Sequence, residues 1–158
     1  MQYGRLENAV FFIALLASAL ALGGALAHLL ELPNKINLPR DEYFIVQSIY
    51  SGWNRLAYLL VVQVLSIIAV AAVYRNEKRV MWLALVALAC LAGAQLVFWA
   101  YTFPANVATE NWTTIPQNWE SVRSQWEYSH AVGALFQILT MSALIASLLA
   151  RGRVPRSR

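Results

Sequence analysis

Four stretches of the chain, roughly Ala9–Leu30, Trp53–Tyr74, Val80–Tyr101 and Ser129–Ala150, are apolar almost without interruption. Each runs for about twenty residues, enough for an α-helix to cross a hydrocarbon core of about 30 Å. Helices also satisfy their own backbone groups where no water is present. Polar residues collect between the stretches. A tight turn, Arg75-Asn-Glu-Lys78-Arg79, separates the second from the third, and two longer segments, about Glu31–Gly52 and Thr102–Tyr128, fall at the opposite end. The pattern predicts an all-α, four-helix transmembrane bundle forming one domain, 1–158, with two extra-membrane helical loops on the non-cytoplasmic side.

Each long loop leaves its helix at a proline and an asparagine, Pro33-Asn34 or Pro104-Ala-Asn106, and restarts at a second proline, Pro39 or Pro116. Proline suits a first helical turn, where its missing N–H costs nothing. Asp41, Glu42 and Glu120 follow these prolines, at the positive end of the helix dipole, and Thr114 with Gln117 fits a capping box. Both restarted helices are expected to run on, with or without a bend, into the second and fourth spans. The order helix, loop, surface helix, helix thus occurs twice, as in parallel two-span halves. Only this punctuation supports the repeat.

Composition agrees with the pattern. With 59% apolar and 13% charged residues and a mean hydropathy of +0.52, the chain lies outside the range of soluble domains. The first stretch lacks a short apolar region followed by a small-residue cleavage site, so it reads as a retained span, not a signal peptide. Arg5, Arg75, Lys78, Arg79, Arg151, Arg153, Arg156 and Arg158 lie at one end of the spans, and Lys35, Arg40, Arg55 and Arg123 at the other. That asymmetry predicts a multi-pass inner (plasma) membrane protein with both termini cytoplasmic. The net charge of +4 then calls for no nucleic acid, because the basic tail sits on anionic lipid. The expected partners are the lipid bilayer and a lipophilic small molecule, and a homo-oligomer stays open. Cys90 is alone, which excludes an internal disulfide and a CxxCH haem attachment.

Candidate chemistry concentrates at the long-loop end. Trp112, Trp119 and Trp126 recur every seven residues, with Arg123, Glu127 and His130 between or after them, and the only other histidine, His28, ends the first span at the same depth. Polar groups there must be paired or used. On the first helix Ala14, Ala17, Ala21, Gly24 and His28 share a face, a small-residue stripe leading to an imidazole. On the fourth, Trp119, Arg123, Trp126, His130, Ala134, Gln137 and Met141 do. Arg123 and Glu127 form an i,i+4 pair, and Glu127 stands three residues before His130, where a carboxylate fixes an imidazole's tautomer. Trp53, Trp99, Trp112, Trp119 and Trp126 lie at this end and only Trp82 opposite, more lopsided than an anchoring belt. Gln63, Gln95 and Gln137 read as interhelical hydrogen-bonding groups.

The string Pro104-x-Asn106, Asn111-Trp112, Pro116, Trp119, Arg123, Trp126-Glu127, His130 resembles the anthrone-oxygenase-like family of small membrane proteins, much of it a domain of unknown function. Ala27-His28-Leu-Leu-Glu31-Leu-Pro33-Asn-Lys35 and Gln47-Ser-Ile-Tyr50 are similar to its bacterial members. The resemblance implies a membrane oxidoreductase or oxygenase acting on a planar aromatic or quinone-like lipophilic substrate, without metal or flavin. The residues suit that chemistry. His130 would serve as general base oriented by Glu127, with His28 sharing the proton or lying behind it, and Asn106 and Arg123 would hold a developing oxyanion. Trp112, Trp119, Trp126, Tyr50 and Trp53 bind the substrate rings.

Two other function classes stay open. No cofactor is firmly expected, but His28 and His130 are the minimum for axial ligation of a b-type haem, with Arg40, Arg55 or Arg123 for its propionates. Zinc could use the same histidines with Glu31 and Glu127. A non-enzymatic accessory or scaffold protein would use the tryptophans as a partner surface and need neither histidine.

Overall fold

In a computed structural model of the protein, which describes residues 4–151, the chain forms α1 (Arg5–Lys35), α2 (Arg40–Gln47), α3 (Leu56–Val73), α4 (Lys78–Val97), α5 (Phe103–Ala108) and α6 (Trp119–Ala150). No strand occurs among the described residues. Four helical stretches are long and apolar enough to cross a membrane: Arg5–Lys35, Trp53–Val73, Lys78–Ala108 and Trp119–Ala150. The chain is an all-α bundle of four candidate spans, as its apolar pattern predicts. Arg153, Arg156 and Arg158 of the basic tail lie outside the described residues.

The helices end later than the prolines suggest. Pro33 lies inside α1, which continues to Lys35. A proline this close to a helix C-terminus removes only one of the last hydrogen bonds. After α4 the chain passes through a π-helical turn, Phe98–Thr102, directly into α5, with Pro104 in the first turn of that helix. Pro104 has no N–H to give the Ala100 carbonyl, and the wider turn just before it absorbs the missing bond and the ring. The second loop end also differs. Thr114 Oγ1 bonds the Glu110 carboxylate, and α6 starts at Trp119 with no side-chain cap. The expected capping box with Gln117 does not form. α6 is one continuous helix, whereas α2 does not run straight into α3. Gly52, at φ 85°, turns the chain between two short 3₁₀ turns, Ser48–Tyr50 and Trp53–Arg55; only glycine takes that backbone freely.

α6 packs against α4 and α1, and α3 closes the bundle between them. The core of the terminal end is built from Phe11, Ala14, Ile67, Val70, Val80, Ala84, Ala87, Leu91 and Leu144. Alanines let the backbones approach closely, the usual source of helix association in lipid. At Gly93 the approach is closest, since a Cβ there would meet the Phe136 ring at 2.7 Å. Polar groups in this region are paired across helices. Ser147 Oγ donates to the Val80 carbonyl at 2.9 Å, and Gln63 Nε2 donates to Gln137 Oε1 at 3.0 Å and Ser18 Oγ at 3.2 Å. At the very end, Arg151 donates to Asn8 Oδ1 (3.1 Å) and the Tyr74 hydroxyl (3.0 Å), which holds the α1 start, the α3–α4 turn and the α6 end together. The two long loops occupy the opposite end.

Candidate functional site

Where the four helices meet the long loops, they enclose a cavity of about 720 Å³. This is the size range of small-molecule sites. Its floor includes Gln137 and Ala94, and its walls carry His28 from α1, Trp126 and His130 from α6, and Tyr50 and Trp53 from the first loop. Asn106 and Trp112 complete the wall on the second loop side. The small stripe on α1 divides its labour: Ala14 and Ala17 pack in the bundle, and Ala21, Gly24 and His28 face the cavity. Leu56, Ala57 and Trp99 are both lining and exposed, so the cavity opens sideways between the first turn of α3 and the end of α4.

His28 and His130 meet face to face, with ring centroids 4.0 Å apart and planes 26° apart. Around them the aromatic rings interlock. Tyr50 lies 4.5 Å from His28, Trp126 presents an edge 5.1 Å from His28 and 4.2 Å from His130, and Trp53 sits 5.2 Å from His28. His28 is buried, and its Nδ1 has no hydrogen-bond partner. Asn106 Oδ1 accepts two indole N–H bonds, from Trp126 (2.8 Å) and Trp112 (3.3 Å). Those donors fix the amide orientation, so its NH₂ group points away from both indoles.

The second loop reaches this arrangement through an unusual backbone. Glu110, Asn111 and Trp112 have φ of 49°, 57° and 68°, three consecutive non-glycine residues in the left-handed region. Each costs about 1–2 kcal/mol. Thr109, fully buried, braces the turn: its Oγ1 donates to the Ala105 carbonyl at 2.9 Å and accepts the Trp112 N–H at 3.1 Å. The result swings the Trp112 indole back against Trp126, centroids 5.4 Å apart. Strain of this kind collects at functional sites, where the surrounding structure holds it in place.

Three expected roles do not match the geometry. Arg123 does not pair with Glu127. Its Nη1 donates to the Leu38 carbonyl at 2.8 Å, and its guanidinium lies over the Trp119 and Tyr43 rings at 4.6 and 5.5 Å. Trp119 packs against Phe44 and is not among the cavity-lining residues, and neither is Arg123. Glu127 is fully buried and bonds neither histidine. It faces Lys35 Nζ at 3.3 Å and accepts from the Tyr43 hydroxyl at 2.9 Å. Residues from the first loop outcompete Arg123 and His130 for this carboxylate.

Those partners, Lys35, Tyr43 and Gln47, escape a reading along single helices. Lys35 is 4% exposed and sits between two carboxylates, Glu127 and, at 3.4 Å, Glu31. It also donates to the Tyr50 hydroxyl, which in turn donates to Glu31. Tyr43 accepts from Gln47 Nε2. Burial, then the Glu127 carboxylate, pushes the Tyr43 hydroxyl far above its ordinary pKa of 10.0; burial and the bond to Glu31 do the same for Tyr50. Both phenols keep their protons. A lysine at the end of an apolar helix was the available signal, because such a charge must find carboxylates.

Axial haem ligands straddle the iron and aim ring nitrogens at it from opposite faces of the porphyrin. His28 and His130 instead stack ring on ring, with no gap between them, so they do not fit a haem. For zinc, no group of three or more His, Cys, Asp and Glu residues with metal-binding geometry occurs among the described residues. Glu127 faces Lys35 instead of joining the histidines.

Compared with family models, curated proteins and solved structures, the chain matches none.

Proposed function

We propose that this protein is a multi-pass inner-membrane oxidoreductase that oxidises a planar, lipophilic aromatic substrate with dioxygen, using His130 as general base. The observation that carries the reading is the stacked histidine pair set in the wall of an aromatic cavity that opens between α3 and α4. Trp112, Trp126, Tyr50 and Trp53 offer flat faces and edges to a fused-ring ligand. Positive charge favours the terminal end, which puts both termini in the cytoplasm and the cavity on the outer side. The lateral opening admits a substrate dissolved in lipid, where dioxygen is also concentrated.

An anthrone illustrates the chemistry. His130 takes the acidic ring C–H proton, and the Asn106 NH₂ group stabilises the oxyanion of the resulting enolate. The carbanion gives one electron to dioxygen, and the two radicals combine to form a C–O bond. The histidine returns its proton to the peroxide. Loss of the second C–H proton with cleavage of the O–O bond then yields a carbonyl and water. One oxygen atom enters the product and the other leaves as water, so the balance needs no other reductant. Glu127 and Arg123 act from outside the cavity by holding the first loop against α6.

Oxygen consumption by the purified protein in detergent, with anthrone as substrate, tests this reading. His130→Ala should lower the rate by about 10²-fold or more. Full turnover by that variant would remove His130 from the mechanism.

A further inference from the structure

The hydrogen bonds behind the cavity run in one direction. Tyr43 has a single hydroxyl proton and gives it to Glu127 Oε1 at 2.9 Å. It can therefore only accept from Gln47, which must turn its NH₂ toward Tyr43. The Gln47 carbonyl oxygen is thereby committed to the other side. Gln47 is 2% exposed, lines the cavity, and has a buried Oε1 with no hydrogen-bond donor among the described residues. A buried acceptor without a protein donor favours any ligand that brings one.

We propose that Gln47 is a specificity-determining residue whose carbonyl oxygen takes a ring hydroxyl of the bound aromatic, so that the cavity selects phenol-type ligands over their carbonyl or ether counterparts. Glu127 and Tyr43 are positioning residues for it. The Lys35–Glu127 pair holds the carboxylate, the carboxylate takes the tyrosine proton, and the tyrosine fixes the amide. This rests on the reading of the cavity as an aromatic binding site but not on the oxidation itself.

Binding of 2-naphthol and 2-methoxynaphthalene to the detergent-purified protein, measured by calorimetry, tests the proposal. The two probes share a ring system and differ in the donor. Wild-type protein should bind 2-naphthol about tenfold more tightly or better. Gln47→Leu should abolish that preference by weakening 2-naphthol alone. Tyr43→Phe, which frees the amide to rotate, should reduce it. Equal affinity of the wild-type protein for the two probes would overturn the proposal, and this comparison needs no variant to fold. A loss of both affinities in a Gln47→Leu protein with wild-type helix content would also overturn it. Hydroxyl preference without anthrone turnover would leave the subsite standing and sink the oxidation.

Discussion

The two ends of the bundle are built on opposite terms. At the terminal end the hydroxyls and amides find partners across helices, alanines fill the contacts and the backbone stays regular, as with Ser147 on Val80 and Thr140 on Ala87. At the loop end a buried lysine sits between carboxylates, three residues turn left-handed, and His28 Nδ1 and Gln47 Oε1 lack partners. Both ends are described by the same helices, so the difference does not come from the fold. Consistency at one end supports inconsistency at the other, and unsatisfied groups beside a cavity mark where a ligand belongs.

Mutations should separate the two ends. The largest effect is expected at the loop end, for Lys35→Met. Removing one partner of a buried ion pair leaves Glu127 uncompensated and should cost about 3–5 kcal/mol, read from denaturant unfolding in detergent. The double replacement Lys35→Met with Glu127→Leu should recover most of that loss; if the double variant is as unstable as the single, the pair is not what matters. Just beneath the cavity floor, Gly93→Ala forces a Cβ toward Phe136 and should cost about 1–3 kcal/mol. A variant of wild-type stability would contradict the close approach.

Thr109→Val removes the hydroxyl brace of the left-handed turn and should cost about 1 kcal/mol. It should also weaken ligand binding by loosening Trp112, which titration of tryptophan fluorescence would show. The smallest effect belongs to Gly23→Ala. Nothing lies within 4 Å of the added methyl, so helix propensity alone should raise stability, by at most about 1 kcal/mol. A loss there would mean that α1 has a neighbour on that face.

How much of this was legible in the sequence depended on the range of the interaction. Four apolar stretches separated by polar turns sufficed for the spans, because lipid leaves a helix as the only economical structure. Their ends were not legible: Pro33 and Pro104 look like stops, but a last turn and a π-helical turn accommodate them. The depth of His28 and His130 followed from span boundaries, whereas their stacking did not. Helical spacing puts Arg123 and Glu127 on one face but says nothing of what packs on it. The Leu38 carbonyl takes one of those side chains and Lys35 the other. Gln47 and Tyr43 come from α2, which α6 meets only in three dimensions. No local pattern could have linked them to Glu127.

The central claim is that His130 moves the proton that opens an aromatic substrate to dioxygen. Turnover of anthrone under isotopically labelled dioxygen, by the wild-type protein and by His130→Gln at matched helix content, tests it most directly. One labelled oxygen is expected in the new carbonyl, with a rate about 10²-fold lower in the variant. Label absent from the carbonyl, or a variant as fast as wild type, would contradict it.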